Sequence, residues 1–207
     1  MGRYTVAGTG ASGALYFERV VRALLIAGHD VDVVVSAYGK LTLEQETSFG
    51  AFDGDVKAWL ESAYGEHPGS ITMHAVGDQT SRIASGSARC DGMIVVPCSM
   101  KTLAGIANGL ASNLIERAAD VTLKERRPLV IVPRETPFSI IHLENMLKLA
   151  RAGATVVPAN PAFYQQPESF ADLADFVAQR ALSVAGVDVT LFPAWQGKAS
   201  LKKNEQE

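Results

Sequence analysis

Gly8-Thr9-Gly10-Ala11-Ser12-Gly13 is the stretch that decides the fold. An apolar run, Tyr4-Thr5-Val6-Ala7, precedes it, and a segment with helical periodicity follows. A strand that passes through a glycine turn into a helix builds an anion site. Glycine permits the tight turn, and the first helical N–H groups have no partner inside the helix. A phosphate on those N–H groups is the expected occupant. The spacing also fits G-x-G-x-x-G, the dinucleotide fingerprint, which asks for an acid at the end of the second strand to hold a ribose hydroxyl. Here the second strand, Val31-Asp32-Val33-Val34-Val35-Ser36, ends in serine and has its acid near the start. The turn is therefore read as a phosphate site for a mononucleotide.

Outward from that turn, the chain alternates helices and strands. Leu15, Val20, Val21, Leu24 and Leu25 fall on one helical face, and Gly28 stands where a helix commonly ends. The valine run 31–35 suits a strand buried on both faces of a parallel sheet. Further helices are expected over 38–46 and 56–63, with loop at 49–54. A short strand at 71–74 and a loop over 77–87 precede Gly92-Met93-Ile94-Val95-Val96-Pro97, the strongest strand signal. Then Cys98-Ser99-Met100-Lys101-Thr102 enters another helix, a second strand-to-helix turn. A helix over 112–124, a strand at 129–132, a helix over 142–152 and a strand at 154–157 complete the alternation. Pro158–Pro167 is a proline-stiffened aromatic loop, and Phe170–Val184 is a final amphipathic helix. The expectation is one α/β domain over 1–192, an open, mostly parallel sheet flanked by helices and Rossmann-like or flavodoxin-like, followed by a polar tail over 193–207.

Composition narrows the function. The 207 residues are 47% hydrophobic and 20% charged, with net charge -3, which suits a soluble core-forming domain and gives no basic surface for nucleic acid. Two cysteines make no disulfide framework. There is no apolar run of about 18 residues and no leader pattern, so a cytoplasmic protein without membrane insertion is expected. His29, His67, His74 and His142 lack metal-ligand spacing, so no metal is expected, and His142 reads as a capping or packing residue. The G-x-S-x-G elbow of serine hydrolases is absent.

Ser12, Ser36 and Ser99 each stand just past a strand end, where ligands collect in open parallel sheets. Serine is also an ordinary helix cap, so each alone is equally a structural residue. Arg134, in Pro133-Arg134-Glu135-Thr136-Pro137, is a cation fixed at a strand end and suited to bidentate grip on phosphate. Glu135 reads as a proton donor to a leaving phosphate or as an ion-pair partner, and Glu46 is equally open. Arg117, Lys124 and Arg180 are further cations near turns or an edge.

Ordered blocks over nearly the whole chain carry a resemblance. Gly10-Ala11-Ser12-Gly13-Ala14, Ser85-Gly86-Ser87, Pro97 to Leu103, Arg117-Ala118-Ala119-Asp120, Leu123-Lys124-Glu125-Arg126, Pro133 to Pro137, His142 to Met146 and Pro161-Ala162-Phe163-Tyr164 resemble the UbiX-type flavin prenyltransferases. Older labels call some members aromatic or hydroxyarylic acid decarboxylase subunits. The resemblance implies transfer of a dimethylallyl group from dimethylallyl phosphate to N5 and C6 of reduced FMN, supplying a separate UbiD-type decarboxylase. It implies FMN against Gly10, Ala11, Ser12, Ser36, Ser99, Met100, Lys101, Thr102 and Arg134. The allylic phosphate falls to Lys124, Tyr164 and Arg180, with Arg117, Ser85 and Gly86 close by. Glu46 and Glu135 match acids thought to assist proton movement, and Ser12 and Lys124 join them as catalytic candidates. A homododecamer with shared sites is also implied. Gln79 stands where some members have an apolar residue, which bears on the wall around the allyl group. The two rival readings are an FMN carrier that serves a decarboxylase and a flavin-dependent cysteine decarboxylase. The latter's Pro-x-Met-Asn-x-x-Met-Trp block and its histidine after the first helix are missing here.

Overall fold

The apolar runs become six parallel strands in one sheet: β1 (Arg3–Gly8), β2 (Asp30–Val35), β3 (Ser70–His74), β4 (Gly92–Cys98), β5 (Leu129–Pro133) and β6 (Thr155–Val156). A computed structural model describes residues 1–195. Of the polar tail expected over 193–207, residues 196–207 lie outside the described residues. The spatial order is β3-β2-β1-β4-β5-β6. Val6 pairs with Val33 on one side and Ile94 on the other, which puts β1 at the centre.

Because side chains alternate along a strand, the four inner strands feed two cores. Val6, Val31, Val33, Ile94, Val96 and Val130 meet Phe17, Leu24, Leu60 and Ala181 on one face, supplied by α1 (Ala14–Ile26), α3 (Val56–Tyr64) and α7 (Phe170–Val184). Ala7, Val34, Met93, Val95 and Ile131 meet Leu103, Leu114, Ala118 and Leu149 on the other, supplied by α4 (Met100–Ala107), α5 (Leu114–Lys124) and α6 (Ile140–Arg151). Burying one side chain such as Phe17 contributes about 1.5–3 kcal/mol. α6 is the least buried of these helices. Only Leu149 is buried, while Ile140, Ile141, Leu143 and Leu147 are exposed.

Several boundaries differ from the sequence expectation. The 49–54 loop contains a 3-10 turn, Ser48–Phe52, because Phe49 is drawn fully into the core edge-on to Trp59. The 77–87 loop likewise holds one 3-10 turn, Arg82–Ala84. α2 spans Ala37–Glu46, one residue earlier than expected. α5 starts at Leu114 because the Asn113 side chain accepts from the Glu116 N–H. α6 starts at Ile140 because Ser139 and His142 cap each other's backbone, the capping role expected of His142. β6 shrinks to two residues at the sheet edge. Gly28 (φ +77°) and Gly153 (φ +101°) do stand just past helix ends. Among the described residues, no helix is long and apolar enough to cross a membrane.

The order of connections fixes where a ligand fits. β1 leads outward to β2 and β3, and the chain then crosses back to β4 on the other side of β1. Strand order therefore reverses between β1 and β4, and their carboxyl ends open a crevice there.

Candidate active site

Side chains and backbone groups from both sides tie the crevice together. Thr9, nearly fully buried, donates its hydroxyl to the Pro97 carbonyl (2.8 Å) and accepts from the Ser99 N–H (2.8 Å). It thus joins the end of β1 to the end of β4. The Arg134 Nε donates to the Ser12 carbonyl (3.2 Å), which adds the end of β5. Ser36 caps α2 through the Gly39 N–H (3.0 Å), and Ser99 caps α4 through the Thr102 N–H (3.4 Å). Both serines are therefore helix caps, and both still stand at the crevice. α2 comes very close to the turn. A Cβ on Gly10 would strike the Tyr38 Cβ, and one on Gly39 would lie 2.7 Å from the Gly8 carbonyl oxygen. Glycine is required at both places.

One expectation is corrected here. The α1 N–H groups do not await a phosphate. The Glu46 carboxylate, arriving from the end of α2, accepts from Gly13 N–H (2.7 Å) and Ala14 N–H (2.8 Å). A carboxylate satisfies the unpaired donors and the positive helix end as well as a phosphate does. The anion donors left to a ligand are the first-turn N–H groups of α2 and α4 other than those of Gly39 and Thr102, which the serine caps already take.

Tyr16 sits over the same turn. A Cβ on Gly13 (φ +120°) would come within 2.6 Å of its ring. Burial raises the Tyr16 phenol above its ordinary value, the Glu46 charge raises it further, and Arg134 opposes them. The phenol keeps its proton at neutral pH. Glu135 is half-buried and its carboxylate accepts from the Thr136 N–H (3.0 Å).

The remaining sequence candidates form two further groups within one chain, one along α5 and one on the β6 side. α5 begins beside the carboxyl end of β3, where Leu114 N–H donates to the Val76 carbonyl (2.8 Å). It ends at Lys124, close to the start of β5, so Lys124 lies at the amino end of the sheet. Its ammonium pairs with Glu125 (2.5 Å) and packs against Gly86, where a Cβ would lie 2.7 Å from Nζ. That hydrogen bond, first, and the ammonium's charge hold the Glu125 carboxyl below its ordinary range. Arg117, two turns earlier on the same helical face, bonds the Ala84 carbonyl (3.1 Å) and Asp120 (2.8 Å). Ser85 and Ser87 pair through their hydroxyls (2.9 Å). Tyr164 and Arg180 form a third group at the β6 side. Tyr164 packs edge-on against Phe176 and Trp195, and Arg180 lines a cleft of about 350 Å³ with Val157, Asn160 and Phe176.

Sequence reasoning passed over Thr9 and Tyr16. Thr9 lies inside the quoted turn, and Tyr16 follows Gly13 by three residues, the spacing of groups stacked on one helical face. Gln79, singled out for the allyl wall, donates to the Ala111 carbonyl (3.0 Å) on the surface. Among the described residues, no three His, Cys, Asp or Glu side chains are grouped to hold a metal ion.

Residues 2–182 match the Flavoprotein family. Flavin prenyltransferase UbiX of Halalkalibacterium halodurans is 47% identical over 194 residues, covering 94% of this chain and 93% of that protein. The Pseudomonas aeruginosa UbiX is 45% identical over 205 residues, 98% of each chain. Among solved structures, AnUbiX (PadA1) in complex with FMN and dimethylallyl pyrophosphate superposes with a TM-score of 0.85 at 42% identity, covering 95% of this chain and 98% of that one. A dodecameric FMN-dependent UbiX-like decarboxylase from Escherichia coli O157:H7 gives a TM-score of 0.83 at 44% identity, over 94% and 100%. A PPC decarboxylase mutant at 20% identity and a TM-score of 0.54 shares the fold alone. With likeness of that depth over nearly the whole length, the chain belongs to the UbiX family of flavin prenyltransferases.

Proposed function

We propose that this chain transfers a dimethylallyl group from dimethylallyl phosphate to N5 and C6 of reduced FMN, and that the prenylated flavin serves a UbiD-type decarboxylase. The observation that carries the reading is the crevice between β1 and β4, braced by Thr9 and by the Arg134 contact with the Ser12 carbonyl. Its donors fit a flavin nucleotide. The α2 and α4 starts, with Ser36, Ser99, Met100, Lys101 and Thr102, suit a phosphate, and the tight Gly10-Ala11-Ser12 backbone lets a flat ring approach closely. When bound, reduced FMN supplies the electron-rich nucleophile, and the protein contributes position and charge.

Lys124 and Arg117, joined by Tyr164 and Arg180, stabilise the departing phosphate, and Ser85 and Gly86 shape the wall beside Lys124. Glu135 carries a proton to that phosphate. Glu46 holds the turn and keeps Ser12 in place. Because Lys124 and the crevice occupy opposite ends of the sheet in one chain, the complete pocket draws Lys124 from a neighbouring copy. The dodecameric relative supports such an arrangement, and twelve copies are the expected assembly. Its exposed apolar α6 residues also fit burial against another copy. The cytoplasm is the compartment that fits two free thiols, Cys90 and Cys98.

Anaerobic incubation with reduced FMN and dimethylallyl phosphate, followed by mass measurement of the released flavin, tests the proposal. A gain of one C5 unit is expected. Flavin released unchanged would favour a carrier role. Oxidative loss of CO₂ from a peptidyl cysteine, with no prenylation, would favour the cysteine decarboxylase reading. Running the pyrophosphate ester in parallel identifies the donor.

A further inference from the structure

The crossover from β3 to β4 has no helix of ordinary length. Residues 75–91 contain one short 3-10 turn, Arg82–Ala84, yet they lie over the part of β2 and β3 that a crossover helix would cover. A fully buried acid lies beneath them. The Asp32 carboxylate accepts from Arg82 (2.7 Å), meets His74 Nε2 (2.9 Å), and lies 3.5 Å from Arg3 Nη1. His74 Nδ1 continues the chain to the Ser81 hydroxyl (2.8 Å), and the second Arg82 nitrogen donates to the Arg89 carbonyl (3.1 Å). Arg82 therefore pins the loop at both ends of an eight-residue stretch.

Apolar side chains of similar size would cover these strands with no desolvation cost. An ion cluster around a buried carboxylate is weak as a source of stability, and here its hydrogen bonds hold the loop in one arrangement. The same loop is held from the far side as well. Arg117 reaches the Ala84 carbonyl (3.1 Å), and Arg127 reaches the Gly86 carbonyl (2.7 Å). The second of those anchors, Gly86, is also the surface on which the Lys124 ammonium rests. No other backbone in the described chain is fastened by three arginines within six residues, from Ala84 to Arg89.

The geometry points to Asp32, His74 and Arg82 as positioning residues for the anion pocket that receives the allylic phosphate monoester. They clamp the 82–89 loop so that Gly86 seats Lys124 where the phosphate oxygens arrive. This inference deepens the proposed prenyl transfer and rests on it. None of the three touches the substrate. Their effect passes through the loop to Lys124, and it leaves the flavin crevice at the other end of the sheet alone.

The test compares wild type, Arg82→Met, Arg82→Lys and Ser81→Ala as full-length proteins. It reads KM and kcat for dimethylallyl phosphate, FMN affinity by fluorescence quenching, and the melting temperature. Arg82→Met should raise KM by about 10- to 100-fold, the usual scale for removing a partner that orients a ligand-binding group. FMN affinity should stay within about twofold, since the crevice is untouched. Arg82→Lys should recover part of the loss, because an ammonium meets Asp32 but cannot also hold the Arg89 carbonyl. Ser81→Ala enters the same network by a smaller change and should raise KM less, and it carries the test if Arg82→Met fails to fold. An unchanged KM with a lowered melting temperature would make the cluster merely structural and overturn the inference. So would a loss of FMN affinity in step with KM. If wild type itself yields no prenylated flavin, the proposed function fails first and takes this inference with it.

Discussion

The two ends of the sheet hold their working groups by different means. At the carboxyl end, backbone atoms do most of the holding: Pro97 and Ser12 carbonyls, Gly13 and Ala14 N–H groups, and the capped starts of α2 and α4. From the middle of the sheet to its amino end, charge does it: Arg82 and His74 on Asp32, Arg117 with Asp120, and, at the amino end itself, Lys124 with Glu125. A site whose walls are backbone is intolerant of added volume, even where a charge such as Glu46 or Arg134 fastens that backbone. A site held by ions tolerates volume and answers to charge. The first suits a large flat ligand whose place must be cut to shape. The second suits a small anion whose departure must be stabilised.

The largest effect should come from the amino end. Lys124→Ala should lower turnover of dimethylallyl phosphate by about 10²- to 10³-fold, the scale for losing one preorganised charge-stabilising donor. FMN binding by the same protein should be unchanged. A wild-type rate, read from flavin product mass over time, would remove Lys124 from the site and erase the contrast between the ends. At the carboxyl end, Gly39→Ala should cost about 1–3 kcal/mol in urea unfolding, because its new Cβ meets the Gly8 carbonyl and not a yielding side chain. FMN affinity should fall with it.

Alkali should find the carboxyl end too. Burial pushes the Cys98 thiol up. Its folded value lies above its unfolded one, so its contribution is complete below the unfolded value and is lost as pH rises. Stability should decline by about 1.4 kcal/mol per pH unit from this group above about pH 8.5. Cys98→Ala should remove that part of the slope in urea midpoints measured from pH 8 to 10.5, and an unaltered slope would refute it. Tyr16 should add to the decline only beyond about pH 10, since its shift has the same sign. Glu46→Gln keeps the shape and drops the charge at the start of α1, and it should cost about 0.5–2 kcal/mol by the same unfolding measurement.

The smallest effect has the opposite sign. Arg126 is held at φ +56° just past the end of α5, a conformation that favours glycine. Arg126→Gly should raise stability by up to about 1 kcal/mol while leaving the flavin crevice as it is. A loss of stability would mean that the arginine side chain does more at the amino end than its backbone costs.

Much of this arrangement was legible in local sequence. The valine runs, the glycine turn and the serines past strand ends gave strands, switch point and crevice, because each signal is read over a few neighbouring residues. What stayed hidden depends on long-range pairing. Glu46 meets Gly13 across 33 positions, and Thr9 meets Pro97 across 88, and no spacing rule announces either contact. The buried Asp32 was visible as an acid in an apolar run, but its partners come from β1, β3 and a loop fifty residues on. The end of the sheet at which Lys124 stands stays hidden for a plainer reason. A motif gives order along the chain, whereas the end of the sheet a helix reaches depends on which way it runs across it. Phe49 looked like loop because its burial depends on Trp59, a contact that periodicity within 49–54 cannot register.

Glu46 carries one last consequence. By filling the start of α1 from within, the chain completes its own turn before any nucleotide comes, so loop ordering is not charged against affinity when one does. The open donors at the crevice are then those of the second and fourth helices. One wall of the crevice is thus finished in advance by a single carboxylate.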